Sequence, residues 1–492
     1  MTSFIARILL IASIALLSAC GGGDSGTTSP TTTARLRYIT ITPANKIIAV
    51  GSSLALTATG TYDDGTTAAL TTGLTWTSTG SAAFSGSTVT GRRIGVETIT
   101  ATSGLISGTT KLTIKGAVSA AAAGGQHAIA QKADGSLVAW GLNLSGQLGD
   151  GTGQNSLASV PVFQTTTGST WLAFAAGDLF SLGITSKGAM WGWGYNRNGQ
   201  LGDGGSTAQK SPVPVGTATN WVTVAAGKAH AVALQKDNTL WTWGRNVDGQ
   251  LGDGTLIDKS APVKIVDPVV TPAPATVVAI KWVEVAAGEA HTMARQSDGT
   301  VWTWGSDTKS QLGNSSTTPS KPTAVTLPTP DEKAFFVAIA AGGQHSLAIR
   351  SDGTMWAWGA NDFGQVGSGS NFDSIATPVR LIFDIDPKST ANNSLDKVAA
   401  GGFHTLAIMT DGTLWAWGLN ADGQLGNDST DDARVPQRVG LDKDWVAVAA
   451  GQYFSFALKS DGTLWAWGRN TSGELGIGST TSTSKPTLVV AP

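Results

Sequence analysis

The alternation of apolar and polar positions changes character three times along the chain. Ile8 to Leu17 is an apolar run interrupted only by Ser13, too short for a bilayer-spanning helix, which needs about 20 residues. Residues 21–34 (GGGDSGTTSPTTTA) hold almost nothing apolar. They cannot bury a core and read as a flexible tether. From 35 to 115, short stretches alternate with period two, as in Tyr38-Ile39-Thr40-Ile41-Thr42, Leu54-Ala55-Leu56-Thr57-Ala58 and Thr98-Ile99-Thr100-Ala101-Thr102. That period belongs to half-buried strands, and about seven of them in this length predict a small β-sandwich.

From 117 to 492 the pattern repeats. Ala-Ala-Gly ends at Gly124, Gly177, Gly227, Gly288, Gly342, Gly401 and Gly451. Three positions after each of these marker glycines stands His127, Phe180, His230, His291, His345, His404 or Phe454. Sixteen positions after it stands Trp140, Trp193, Trp243, Trp304, Trp358, Trp417 or Trp467, and a turn like Gly146-Gln147-Leu148-Gly149 begins twenty-two positions after it. These offsets hold in all seven copies, so every length difference falls between that turn and the next marker.

In the last copy, Trp445-Val446-Ala447-Val448-Ala449-Ala450 predicts an inner strand of small residues. Phe454 to Lys459, Thr463 to Trp467 and Lys485 to Val490 predict three more, with proline tolerated at the edge. Asp461-Gly462 predicts a type I′ hairpin between the second and third. One such sheet cannot bury two flat faces alone. Seven packed face to face about an axis can, which predicts an all-β fold: a seven-bladed β-propeller preceded by the sandwich. Of 18 tryptophans, 13 lie in the Trp-x-Trp stretch and four more begin inner strands, where each can bury about 150–250 Å².

Composition narrows the function. Only 13% of residues are charged and the net charge is −2, with Lys and Arg dispersed, so no basic patch announces a nucleic-acid partner. The single cysteine, Cys20, rules out an intramolecular disulfide. No acid, base and nucleophile can be assembled, no cofactor motif occurs, and the chain reads as a non-catalytic monomer. All five histidines occupy one repeat position. Copies around a ring lie too far apart to share one metal, whose ligands sit about 2 Å away, so these imidazoles read as scaffold groups hydrogen-bonded within or between blades. Asp431-Asp432 could hold a cation, against the plainer reading of a solvated loop.

Three resemblances add to this. Leu17-Ser18-Ala19-Cys20 resembles the lipobox of bacterial lipoproteins. That implies a signal peptide over 1–19, cleavage before Cys20, acylation of Cys20 and a tether over 20–34. Gly21 rather than Asp after the cysteine implies the outer membrane, periplasmic or surface-exposed. Ile41-Thr42-Pro43, Tyr62 to Thr66, Leu74-Thr75-Trp76 and Gly95 to Thr102 are similar to group 2 bacterial immunoglobulin-like domains, which implies a surface spacer over 35–115 with Trp76 in its core. The copies run from Ala117 to Pro492 in nearly whole units, which leaves the closure of the ring open, since the seven-copy repeat resembles that of the regulator of chromosome condensation family, in which a blade can be shared between the two chain ends. Departures from the repeat are Ser310 for the first turn glycine of copy four, Asp307 for an Asn, Glu474 for Gln, and Phe180 and Phe454 for His; they put those turns in question. One plant member senses light through clustered tryptophans, but here tryptophans hold repeat positions in every copy.

Long connectors are the remaining signal. Pro262–Ile280 and Ser368–Lys397 exceed the others and are expected to elaborate one propeller face. Phe372, Asp373, Ile382 and Phe383 in the second form the candidate partner-binding loop, since recognition sits on variable loops over a rigid scaffold. The expected function is binding or adhesion at the cell envelope, to a protein or a surface glycan. The resemblance also implies two alternatives: nucleotide exchange on a small GTPase, and inhibition of a secreted enzyme such as a β-lactamase.

Overall fold

The computed structural model describes residues 34–489 except 51, 93–94, 117, 164–168, 267–280, 315, 317, 328–333 and 384–393, and among the described residues every regular element is a β-strand. The apolar leader and Cys20 lie outside the described residues.

Between Leu36 and Lys115 run ten strands in three sheets. Gly95–Ser103 and Ile106–Lys115 form a long hairpin, joined in parallel by Lys46–Ala49 and on its other side by Thr75–Ser78. Leu36–Thr42, Thr57–Tyr62 and Thr67–Ala69 make a second, antiparallel sheet. The strands beyond the expected seven are three-residue pieces, Ser53–Ala55, Ala83–Ser85 and Thr88–Thr90, in a small sheet of their own. Ile39, Ile41, Ala58, Ile99 and Leu112 fill the core. Trp76 packs at its edge, stacked on Phe84 with centroids 6.1 Å apart.

Seven four-stranded antiparallel sheets follow, each built from consecutive strands. We number them sheet 1 (118–161), sheet 2 (171–214), sheet 3 (221–264), sheet 4 (282–324), sheet 5 (336–380), sheet 6 (395–438) and sheet 7 (445–488). Their first strands, ending in Ala-Ala before each marker glycine, lie against one another in a closed circuit that includes the contact of sheet 1 with sheet 7. Small side chains permit that crowding. The architecture is propeller-like, and among the described residues no sheet draws strands from both chain ends, the sharing that the family resemblance implies, so the ring closes there by packing and hydrogen bonds.

Two details of the local geometry differ from expectation. In the Ser460–Thr463 turn only Gly462 has positive φ (83°), and its N–H donates to the Lys459 carbonyl (2.9 Å). This is a three-residue hairpin loop with a left-handed glycine, not a type I′ turn. The edge strand runs Thr483–Leu488, two residues earlier than expected. The departures in the Gly-Gln-Leu-Gly turns keep their geometry. Ser310 takes the positive φ of the glycine it replaces (61°), and Asp307 Oδ1 accepts from Leu312 N–H (2.9 Å) as Asn196 Oδ1 does from Leu201 N–H (3.0 Å).

The turn residues explain themselves through the next sheet. The carbonyl of Gln200 accepts the indole N–H of Trp243 in sheet 3 (2.9 Å), and Gly202 leaves room for that ring: a Cβ there would stand 2.8 Å from its nitrogen. The same bond joins every neighbouring pair, down to Trp140 of sheet 1, which donates to the Glu474 carbonyl of sheet 7 (2.8 Å).

A second latch uses the histidines. His127 Nε2 meets Ser181 Oγ of sheet 2 (2.9 Å), and Ser181 Oγ donates to the Gln147 carbonyl (2.8 Å). A hydroxyl has one proton, spent on a carbonyl that can only accept, so the imidazole must donate from Nε2. His230, His291, His345 and His404 repeat this with Thr292, Ser346, Thr405 and Ser455. All five rings are buried, and that burial pushes them down to about 3, or about 4 for His291. They are neutral structural groups between blades.

Candidate functional site

Antiparallel neighbours alternate in direction, so each sheet's first-to-second turn and third-to-fourth loop open on one rim, and its second-to-third hairpin and outgoing connector on the other. The marker glycines define the first, which we call the glycine rim. They are glycines because the circuit is tight there. A Cβ on Gly124 would stand 2.4 Å from the Gly177 carbonyl oxygen and 2.5 Å from the His127 ring. Backbone hydrogen bonds run from sheet to sheet around this mouth, among them Gly125 N–H to the Gly177 carbonyl (3.2 Å), Glu289 N–H to Gly343 (3.0 Å), Gly402 N–H to Gly451 (3.1 Å) and Gln452 N–H to Gly124 (3.3 Å).

On this rigid frame residues of the third-to-fourth loops, such as Tyr195, Arg245, Phe363 and Arg469, change from copy to copy, and so do the two positions after each marker glycine. They read Gly125-Gln126, Asp178-Leu179, Lys228-Ala229, Glu289-Ala290, Gly343-Gln344, Gly402-Phe403 and Gln452-Tyr453. The result is a rim with two unlike halves around an axial cavity of about 140 Å³. Sheets 2 to 4 contribute charge: Lys228 is ion-paired with Glu289, and Asp178 stands beside them. Burial raises the Asp178 carboxyl above the usual carboxylate range, Lys228 opposes that rise and Glu289 adds to it. Sheets 5 to 7 contribute aromatics. Phe363 meets Phe403 edge-on at 5.8 Å, Phe403 stacks on Tyr453 at 5.5 Å, and the Arg469 guanidinium covers Tyr453 at 5.4 Å.

The loop expected to bind a partner divides between rims. Phe372 and Asp373 precede the fourth strand of sheet 5, Ser374–Arg380, while Ile382 and Phe383 follow it. Seven strand residues at about 3.3 Å each separate the pairs by more than 20 Å. Phe372 and Asp373 are exposed on the glycine rim, where their carbonyls accept from the Asn361 side chain (2.9 Å) and backbone N–H (2.8 Å). Ile382 is exposed on the opposite rim. Phe383 points inward instead, edge-on to Trp415 and Trp417 at 5.8 Å each, and serves the core. The extra length of both connectors also belongs to the opposite rim, since the fourth strands Lys259–Lys264 and Ser374–Arg380 start at the usual distance after their turns; residues 267–280 and 384–393 lie outside the described ones. The linker from the N-terminal strands reaches that same rim, where Gly116 N–H donates to the Asp461 carbonyl (2.6 Å).

Other candidates take structural places. Asp432 Oδ1 accepts from Asn420 N–H (2.8 Å), and Asp431 Oδ2 accepts from Ser429 Oγ (3.2 Å), so this acidic pair shapes its own loop. Among the described residues no group of three His, Cys, Asp or Glu is placed to hold a metal ion, and no helix is long and apolar enough to cross a membrane. Sequence reasoning missed Asp178, Lys228, Glu289, Phe403 and Tyr453. Their signal was a two-residue window that varies directly after each constant marker glycine.

Comparison with known proteins agrees with this geometry. The family model of the RCC1-like domain matches residues 217–492, and models of the regulator of chromosome condensation (RCC1) repeat match 187–234 and 172–200. The ultraviolet-B receptor UVR8 of Arabidopsis thaliana is 28% identical over 319 residues, 64% of this chain and 68% of that protein. The X-linked retinitis pigmentosa GTPase regulator of Canis lupus familiaris is 31% identical over 160 residues, 32% of this chain but only 15% of that protein. Among solved structures, yeast RCC1 (Prp20) bound to Kap60 superposes with a TM-score of 0.61 at 21% identity, over 71% of this chain and 82% of that one; at that identity the likeness is one of fold.

Proposed function

The chain belongs to the RCC1-like domain family, and from that premise we propose a non-catalytic binding protein whose glycine rim docks a protein partner. In this reading the seven sheets are the blades of a seven-bladed propeller. The N-terminal strands form an immunoglobulin-like spacer, and acylated Cys20 holds the stalk to the outer membrane. One observation carries the docking face. Residues that vary from copy to copy on the rim, Asp178 to Tyr453, are held on an invariant frame by hydrogen bonds that do not involve their side chains. They stand around an axial cavity, and variable residues over a rigid scaffold are where recognition sits. The linker at Gly116 joins the opposite rim, so a tethered molecule presents the glycine rim away from its anchor.

The test is a photo-crosslinking residue placed at Tyr453 or at Ile382 in the envelope-bound protein. The reading expects a discrete protein adduct from Tyr453 and none from Ile382; the reverse pattern overturns it. Replacing Cys20 by Ser should abolish labelling by a fatty-acid probe and release the chain. Nucleotide exchange is the second reading, favoured by the name of the GTPase regulator matched over 160 residues. Accelerated release of labelled GDP from a small GTPase would establish it, and an adduct from Tyr453 without such release would leave the first reading standing.

A further inference from the structure

We infer that the axial mouth of the glycine rim receives the guanidinium of an arginine side chain from the docked protein, with Asp178 as its counter-ion and Gln452 and Phe403 beside it. This rests on the glycine rim being the docking face. The charges at the mouth do not balance. Lys228 is paired with Glu289, so Asp178 is left as surplus negative charge. Among the described residues no side-chain hydrogen bond to Asp178 is found, although its carboxylate leans over Gly125, where a Cβ would lie 1.9 Å from Oδ1. Nothing in the repeat asks for an acid there: the equivalent residues are Gly125, Lys228, Glu289, Gly343, Gly402 and Gln452.

The neighbouring groups select among cations. Going round the mouth from Asp178, the lining passes Gly125, Gln452 and Phe403. The carboxylate can take two N–H bonds of a planar guanidinium, the Gln452 amide oxygen can take a third, and the Phe403 ring, stacked on Tyr453, lines the same mouth. An ammonium would use the carboxylate but fit the aromatic and amide less well. An anionic group is disfavoured, because the one ammonium at the mouth is already spent. Burial holds the Asp178 carboxyl above its usual range and the Lys228 charge opposes that rise; the charge of an entering cation acts in the same sense as Lys228.

The experiment uses the full-length protein in detergent and saturation-transfer NMR with acetyl-arginine amide, acetyl-lysine amide and acetyl-citrulline amide. The expected result is saturable binding of the arginine probe, weaker binding of the lysine probe and about tenfold weaker binding of the uncharged citrulline probe, the scale of one charge-assisted hydrogen bond. Asp178→Asn should lower arginine affinity about tenfold with an unchanged melting temperature, and Phe403→Leu should lower it by a smaller factor. No arginine binding, equal binding of citrulline, or full affinity in a folded Asp178→Asn protein overturns the inference. If Asp178→Asn fails to fold, Phe403→Leu and the citrulline comparison decide alone. A Tyr453 adduct that persists while these tests fail would retain the docking face and remove only the arginine; loss of that adduct in the parent protein would remove the face itself.

Discussion

The seven sheets meet at two kinds of junction. Five carry an imidazole that donates to a hydroxyl of the next sheet. The other two, between sheets 2 and 3 and between sheets 7 and 1, carry Phe180 and Phe454. There the residue matching the hydroxyl is alanine, Ala231 and Ala128, and all four side chains are fully buried. The two halves of the latch change together. Phenylalanine never faces Ser or Thr, and histidine never faces Ala. A buried hydroxyl left without its imidazole, or an imidazole without its hydroxyl, costs the desolvation of an unpaired polar group, whereas replacing both by apolar groups of fitting shape is close to neutral. The comparison teaches that the polar latch is not what makes the ring; the tryptophan bond, common to all seven junctions, is. The polar latch instead makes five junctions sensitive to acid.

That sensitivity is the largest effect expected. The folded imidazoles titrate at about 3, or about 4 for His291, against an ordinary 6.5. A depressed folded pKa means that unfolded chains bind the proton first. Stability is therefore complete above pH ~6.5 and falls as pH drops toward the folded values, by about 1.4 kcal/mol per histidine per pH unit. Five acting together by pH 5 remove on the order of 10 kcal/mol, similar to the whole stability of an ordinary domain, about 5–15 kcal/mol. Melting temperatures from pH 7.5 to 4.5 should fall steeply, with proton uptake on unfolding approaching one per histidine. A flat profile would show that the latches open without global unfolding.

Removing the shared bond comes next. Trp243→Ala, at a phenylalanine junction, and Trp417→Ala, at a histidine junction, should each cost about 3–5 kcal/mol in denaturant unfolding. Equal losses support a common tryptophan frame. A much larger loss for Trp243→Ala would mean that the apolar junction leans on its indole where the polar one does not.

The part of this legible in the sequence was the part carried by fixed offsets. Marker glycine, third-position ring, tryptophan and turn stand at constant spacing within one copy, and they returned the sheets and the buried tryptophans. What failed was whatever crosses between copies. Ser181 lies 54 residues from His127 and Thr292 lies 62 from His230, so the pairing shows only once adjacent sheets are set side by side. The rims were confused for a related reason. The stretch from turn to marker contains a whole strand, such as Ser374–Arg380, which carries Phe372 and Ile382 to opposite ends. In the N-terminal unit, Ala83–Ser85 and Thr88–Thr90 are too short to display a period of two, and the alternating stretch from Leu54 to Ala58 is divided between Ser53–Ala55 and Thr57–Tyr62. The candidate site was missed because variation at Asp178, Lys228 and Phe403 reads as noise until the constancy around it is known to be a frame.

A smaller effect follows from breaking one latch by halves. His291→Phe alone leaves Ser346 Oγ bonded to the Gln311 carbonyl (2.8 Å) but pushes a larger ring against a hydroxyl, and overpacking of this kind costs about 1–3 kcal/mol.

The smallest effect at neutral pH decides the comparison. His291→Phe combined with Ser346→Ala copies into the junction of sheets 4 and 5 the pair that the chain already uses as Phe180 and Ala231. The carbonyl of Gln311 keeps its bond from the Trp358 indole (2.9 Å), and no polar group is orphaned. The double variant should therefore lie within about 1 kcal/mol of the parent at pH 7.5, less costly than either half, because coupled partners are not additive. As pH falls the sign reverses. With one fewer buried imidazole to protonate on unfolding, the variant should become the more stable of the two, its profile shallower by about one proton. A double variant that is as damaged as His291→Phe alone would show that the two kinds of junction are shaped differently by their surroundings and are not interchangeable.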